Sequence, residues 1–124
     1  MKKYALITGS SSGIGLEIAK ILADKGYNII LTARREERLI ENSKSIISTY
    51  NVGCDYISCD LSEKSSPNKI YDFCKKNNYD VEILVNNAGY AIPSSFIKTS
   101  MEDEEKFLRV LGISVIALSK LFLP

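Results

Sequence analysis

The sequence predicts an α/β protein in which helices cover both faces of a parallel sheet. Three observations lead there. Apolar runs without polar alternation, the mark of strands buried on both faces, recur along the chain. Each is followed by a segment whose apolar residues repeat with helical spacing. A cluster of glycine and serine sits where the first run gives way to the first helix. Strand and helix in alternation make βαβ units joined by right-handed crossovers.

The elements follow in order. Tyr4-Ala5-Leu6-Ile7-Thr8 reads as a first strand, broken by Gly9 to Gly13. A first helix is expected from Ile14 to Lys25, with Ile14, Ile18, Ile21 and Leu22 sharing its apolar face and Gly26 stopping it. Asn28 to Ala33 is a second strand, and Glu36 to Tyr50 a second helix with Leu39, Ser43, Ile46 and Ile47 at suitable spacing. Cys54 to Ser58 makes a short third strand. Ser65 and Pro67 introduce a third helix around Ile70, Phe73 and Cys74, which Asn77-Asn78 ends. Val81 to Val85 is a fourth strand, Pro93-Ser94-Ser95 marks a loop, and a last helix runs from Met101 or Glu102 to Leu123. Strands and helices so arranged give a Rossmann-type sheet of order 3-2-1-4 with flanking helices. The 124 residues make one domain, residues 1–124.

Composition narrows the chemistry. At 45% hydrophobic and 25% charged the chain is ordinary for a globular protein. A net charge of +1 argues against a nucleic-acid partner held by a broad basic surface. The absence of histidine removes Ser-His-Asp hydrolysis, Cys-His proteolysis and every His-containing metal site, and no metal site is expected. Cys54, Cys59 and Cys74 are in no paired spacing and read as reduced, buried thiols of a cytoplasmic protein. No apolar run is long enough for a signal peptide behind Lys2 and Lys3, or for a membrane span.

The strand-to-helix junction carries the function. Thr8-Gly9-Ser10-Ser11-Ser12-Gly13-Ile14-Gly15 places glycines where a backbone must turn and approach a pyrophosphate. The helix that follows offers unpaired N–H groups and a partial positive charge to an anion, and the serines can add hydroxyl donors. No Gly-Lys-Ser/Thr follows, so the loop is not a P-loop. At the end of the second strand, Ala33-Arg34-Arg35 stands where a carboxylate would hold the ribose hydroxyls of NAD. Arginine there removes repulsion against a 2′-phosphate and supplies bidentate donors, so Arg34, with Arg35, favours NADP(H) over NAD(H). At roughly 1.5–3 kcal/mol per charge-assisted bond, one or two bonds give about 10–1,000-fold preference.

With these motifs in hand, the chain resembles the N-terminal half of a compact short-chain dehydrogenase/reductase. Gly9, Gly13 and Gly15 match that family's spacing. Asp60-Leu61 resembles its acidic position at the adenine amino group, and Asn86-Asn87-Ala88-Gly89 its signature beside the cofactor. Leu118 to Pro124 resembles the end of its interface helix. The resemblance implies hydride transfer between NADP(H) and a small carbonyl or alcohol substrate, and a homo-oligomer formed through the final helix.

Departures from the family bear on activity. The catalytic Ser and Tyr-x-x-x-Lys that the resemblance implies lie downstream of the final helix, so the chain is expected to be an inactive fragment of an incomplete fold. The assisting Asn of the family falls on Leu111. Tyr71 and Lys75 form a Tyr-x-x-x-Lys by spacing alone, on a crossover helix away from the strand ends. A fourth strand left as an edge would expose Ile83, Leu84 and Val85. The final helix is apolar nearly all round, with Phe107, Leu111, Leu118 and Leu121 on one face and Leu108, Val115 and Phe122 toward others. Two alternatives stay open: a non-catalytic nucleotide-binding or regulatory module, and a subunit that needs a partner chain.

Overall fold

The computed structural model describes residues 3–90 and 94–123. Lys2, Pro93 of the expected loop and Pro124 of the terminal motif lie outside the described residues. The strands are β1 (Lys3–Thr8), β2 (Asn28–Ala33), β3 (Cys54–Ser58) and β4 (Asp80–Val85). They form one parallel sheet in the order β3-β2-β1-β4. The α-helices are α1 (Gly13–Asp24), α2 (Glu36–Tyr50), α3 (Ser66–Lys76), α4 (Met101–Leu108) and α5 (Ser114–Phe122). The Rossmann-type architecture expected from the alternation is the one observed.

Successive strand residues face opposite sides, so each face of the sheet has its own core. One gathers Ala5, Ile7, Ile29 and Leu31 under α1 and α2. The other gathers Tyr4, Leu6, Ile30, Ile70, Cys74, Val110 and Leu118 under α3 and the last helices. Leu31, Ile7 and Leu6 are fully buried, as strands covered on both faces require.

Several expectations need correction. Of the expected apolar face of α1, Ile18 and Leu22 pack half-buried against the core, but Ile14 is 74% and Ile21 57% exposed. Gly15, Ala19 and Ala23 are buried instead, four residues apart, because small side chains let the helix axis come close to the sheet. On α2, Leu39, Ser43 and Ile46 are buried while Ile47 faces out. On the edge strand β4, Ile83, Leu84 and Val85 are half-buried rather than exposed, since α/β packing covers the faces of an edge strand even when its rim is open. Only Cys74 is a buried cysteine; Cys54 and Cys59 are half-buried.

The last helix is not one regular α-helix. A π-helical turn, Arg109–Ile113, separates α4 from α5. It contains Gly112, and the Ser114 hydroxyl donates back to the Val110 carbonyl at 2.7 Å, a local bond of the kind that bends helices. The extra residue in the turn rotates the buried stripe onto Val110, Ser114 and Leu118. Of the expected Phe107-Leu111-Leu118-Leu121 face, only Leu118 is buried. No described helix is long and apolar enough to cross a membrane.

Candidate functional site

The site begins where β1 ends. Thr8 is buried, and its Oγ1 accepts from the backbone N–H groups of Asn87 and Ala88, each at 2.9 Å. Asn87 Nδ2 donates to the Gly9 carbonyl at 3.2 Å. These bonds tie the turn after β1 to the segment after β4. Gly9 has φ +64°, in the left-handed region that glycine enters freely, and a Cβ there would lie 2.8 Å from the Ala88 Cα. A Cβ on Gly15 would collide with the Gly9 carbonyl oxygen and lie 2.5 Å from Asn87 Nδ2. Gly13, at φ +62°, meets nothing within 4 Å, so its backbone angle and not crowding asks for glycine.

The three serines of the loop separate into two kinds. Ser10 is fully buried; its hydroxyl donates to the Ile7 carbonyl at 2.8 Å and accepts from the Thr32 N–H at 3.0 Å. It locks β1 to β2 and cannot serve as a ligand donor, which corrects the expectation for that serine. Ser11 is half-buried and Ser12 exposed at the start of α1. Asn42 on α2 steadies the loop by donating to the Ser11 carbonyl at 2.8 Å. Ser12 makes no side-chain cap, and no acidic residue occupies the first turn of α1. The N–H groups and positive dipole end of α1 are therefore left for an anion.

A cavity of about 730 Å³ opens over this junction at the C-terminal ends of the strands, where open α/β sheets bind ligands. Its volume falls within the range of roughly 300–1,000 Å³ usual for ligand sites. Gly9, Ser11, Ser12 and Ile14 form one part of its wall, and Arg34 and Arg35, both exposed, another. Asp60 and Leu61 after β3, and Asn87, Ala88 and Gly89 after β4, complete the predicted lining. Thr8, Gly13 and Gly15 are not on the wall; Thr8 and Gly15 act behind it by setting its shape. A hollow of about 260 Å³ adjoins it through Arg34, Cys59 and Asp60.

Asp60 is held ready as an anion. Burial pushes its carboxyl pKa up, but hydrogen bonds from Ser62 and the charges of Arg34 and Lys106 outweigh that and leave it below its ordinary value. Ser62 N–H donates to Asp60 Oδ1 at 2.9 Å. The Asp60 carbonyl accepts from Ser66 Oγ, which fixes the turn into α3.

Sequence reasoning missed Lys106 and Thr32 on the wall and Asn42 behind it, and Tyr90 lines the wall as well. Lys106 and Val110 both line the cavity from the last helical run, four residues apart. That signal is legible only once the inward face of the run is known. Leu111, at the position of the expected Asn, has Cδ2 3.0 Å from where a Gly89 Cβ would stand. An apolar side chain thus occupies that corner. Tyr71 and Lys75 lie on α3, with the Lys75 Nζ 5.4 Å over the Tyr71 ring and the ring edge-on to Phe122 at 5.3 Å. They form a packing contact, far from any acid/base role at the strand ends. Among the described residues, no three His, Cys, Asp or Glu side chains cluster as a metal site would need.

Comparison with known proteins agrees with this geometry. The family model described as short chain dehydrogenase matches residues 3–124. A very-long-chain 3-oxoacyl-CoA reductase of Candida glabrata is 32% identical over 125 residues, covering 98% of this chain and 35% of that protein. The human inactive hydroxysteroid dehydrogenase-like protein 1 is 37% identical over 121 residues, covering 94% and 35%. The chain thus spans about a third of the length of these curated relatives. Among solved structures, L-sorbose reductase from Gluconobacter frateurii, complexed with NADPH and L-sorbose, superposes with a TM-score of 0.92 at 30% identity, covering 99% of this chain and 47% of that one.

Proposed function

Since the chain belongs to the short-chain dehydrogenase family, we propose that residues 3–124 are the cofactor-holding part of an oxidoreductase that transfers hydride between NADP(H) and a carbonyl or alcohol substrate. The observation that carries this reading is the cavity wall, where the open N-terminus of α1 meets Arg34 and Arg35 with no carboxylate at the end of β2. In this reading the Gly9–Gly15 loop receives the pyrophosphate, with Ser11 and Ser12 as hydroxyl donors. Arg34 and Arg35 receive the 2′-phosphate, Asp60 and Leu61 border the adenine, and Asn87 to Gly89 flank the rest of the cofactor. Bound NADPH supplies the hydride; the serine, tyrosine and lysine that handle the substrate oxygen belong to the part of the family fold that residues 3–124 do not include. NADPH in the sorbose reductase supports the choice of cofactor.

The test is a titration of NADPH and NADH against the wild type and Arg34→Ala. Because Arg34 is exposed, we expect a preference for NADPH of about tenfold, lost in the variant. Equal affinities in the wild type, or an undiminished preference in Arg34→Ala, would sink the cofactor assignment.

A non-catalytic nucleotide-binding module is the second reading, favoured by Leu111 in the corner where the resemblance implies Asn. NADPH consumption against a panel of ketones and aldehydes separates the two. The 124-residue chain should consume none, and a longer chain bearing the serine and Tyr-x-x-x-Lys should consume it. Binding without turnover in that longer chain would favour the module. We also assign the protein to the cytoplasm, on its free thiols, and its self-association to the exposed face of α4 and α5.

A further inference from the structure

The turn after β1 is tied both from the strand ends and from a helix. From the strand ends, Asn87 holds the Gly9 carbonyl and the Ser10 hydroxyl bridges β1 and β2. From the helix, Asn42 of α2 donates through Nδ2 to the Ser11 carbonyl at 2.8 Å, across 31 residues of chain. A peptide unit is planar and trans, so a carbonyl drawn toward α2 turns the N–H of the same unit, on Ser12, the opposite way. Ser11 and Ser12 both line the cavity, and no side chain caps that end of α1. The orientation of this peptide is set from behind, by Asn42.

Asn42 stands on a fixed platform. Leu39 and Ile46 bury the inner face of α2, and the Ser43 hydroxyl donates to the Cys54 carbonyl at 2.9 Å, which pins the helix to β3. Asparagine is a weak helix former, so propensity does not account for it in mid-helix. Its amide N–H is the group a carbonyl can accept from. The same helix carries Arg35 at its N-cap, about two turns before Asn42.

We propose that Asn42 is a positioning residue for the nucleotide diphosphate, fixing the Ser11–Ser12 peptide so that the Ser12 N–H is held for a phosphate oxygen. The inference rests on the nucleotide reading of the cavity. α2 then serves both charged parts of the ligand, the 2′-phosphate directly through Arg35 and the diphosphate indirectly through Ser11. Without the tie, the peptide has to be ordered at the moment of binding, and affinity falls by that cost. The loss is confined to the diphosphate, because the two arginines reach the 2′-phosphate without the Asn42 side chain.

The experiment is calorimetric titration of NADPH, NADH and adenosine 2′-monophosphate into the wild type, Asn42→Ala, Asn42→Asp and Arg34→Ala. The monophosphate carries the 2′-phosphate but no diphosphate. Asn42→Ala should weaken NADPH and NADH alike, by about 3- to 10-fold, and leave the monophosphate unchanged. Asn42→Asp, the same shape without the donor, should lose at least as much. Arg34→Ala should give the mirror image, weakening NADPH and the monophosphate and sparing NADH. Urea midpoints near that of the wild type check that both Asn42 variants keep the fold. Unchanged affinities for NADPH and NADH in Asn42→Ala overturn the proposal. So does an equal loss of the monophosphate, which would make Asn42 a prop of α2 as a whole. Failure of the NADP assignment would show separately, as equal wild-type affinity for NADPH and NADH, with the Asn42 effect still read from both.

Discussion

α1 and the α4–α5 run both help wall the cavity and both pack on the sheet, on opposite faces, yet they meet it in opposite ways. α1 presses its small residues, Gly15, Ala19 and Ala23, deepest against the strands, packs Leu16, Ile18 and Leu22 half-buried beside them and carries Ile14 and Ile21 outward. The α4–α5 run buries Val110, Ser114 and Leu118 but leaves Leu108, Ile113 and Ile116 more than half exposed. Their N-termini differ as well. α1 begins without a side-chain cap or an acidic first turn. α4 closes its own with a Ser100–Asp103 capping box and Glu102, Asp103 and Glu104 in the first turn. One helix is built around backbone approach and an open anion-facing end; the other is sealed at its end and apolar on its outer side.

The largest expected effect tests the closeness of α1. Gly15→Ala should destabilise the protein by about 3 kcal/mol or more, since its Cβ has no room between the Gly9 carbonyl and Asn87 and the backbone there is doubly tied. The same substitution at Gly112 meets nothing within 4 Å. There it should stabilise by about 0.5–1 kcal/mol through helix propensity. Urea unfolding of both variants decides the matter. Effects of equal sign would break the contrast between the helices.

A smaller effect separates the serines at the mouth of α1. Ser10→Ala leaves the buried Thr32 N–H without that hydroxyl and should cost about 1–3 kcal/mol. Ser12→Ala should stay within about 0.5 kcal/mol of the wild type in stability and show its loss in NADPH affinity instead. If Ser12→Ala destabilised as much as Ser10→Ala, Ser12 would be a structural residue and the open end of α1 an illusion.

The strand order, the bounds of β2, α2 and β3, and the junction after β1 were all legible in the sequence. Each rests on local signals: unbroken apolar runs, glycine punctuation, Asn77-Asn78 as a stop. What escaped depends on distance rather than pattern. A helical wheel ranks Ile14 and Ile21 as core, and only the approach of Gly15 to Gly9 shows that the wheel must turn. The π-helical turn at Arg109–Ile113 shifts the register of everything after it, which a fixed period cannot anticipate. Ser10, Ser11 and Ser12 are alike in sequence and differ because only Ser10 reaches the end of β2. The three cysteines divide for a similar reason. Burial, with a smaller contribution from Asp55, raises the Cys74 thiol to about 12 and, against the lowering effect of a hydrogen bond with Ser43, the Cys54 thiol to about 11, while Cys59 lines the cavity.

The smallest effect gives the sharpest view of the two outer faces. Ile21 is 57% and Ile116 59% exposed, so in the 124-residue chain neither Ile21→Lys nor Ile116→Lys should change stability by more than about 0.5 kcal/mol. Exposure alone does not distinguish them, but their surroundings do. Ile21 stands on a helix whose inner face is already satisfied, whereas Ile116 shares its run with exposed Leu108, Ile113 and Leu123. A surface of that kind is shaped to be covered, by more of the family fold or by a second copy. Where it is covered, an introduced ammonium is buried without a partner, and Ile116→Lys should then cost several kcal/mol, on the order of 3, or abolish the association. Ile21→Lys should remain silent in the same longer chain or oligomer. Paired thermal melts and sedimentation of both variants, in the short and the long form, read the difference directly. A silent Ile116→Lys in the long form would mean that the outer faces of α1 and α5 are equally free, and the contrast would reduce to the inner faces alone.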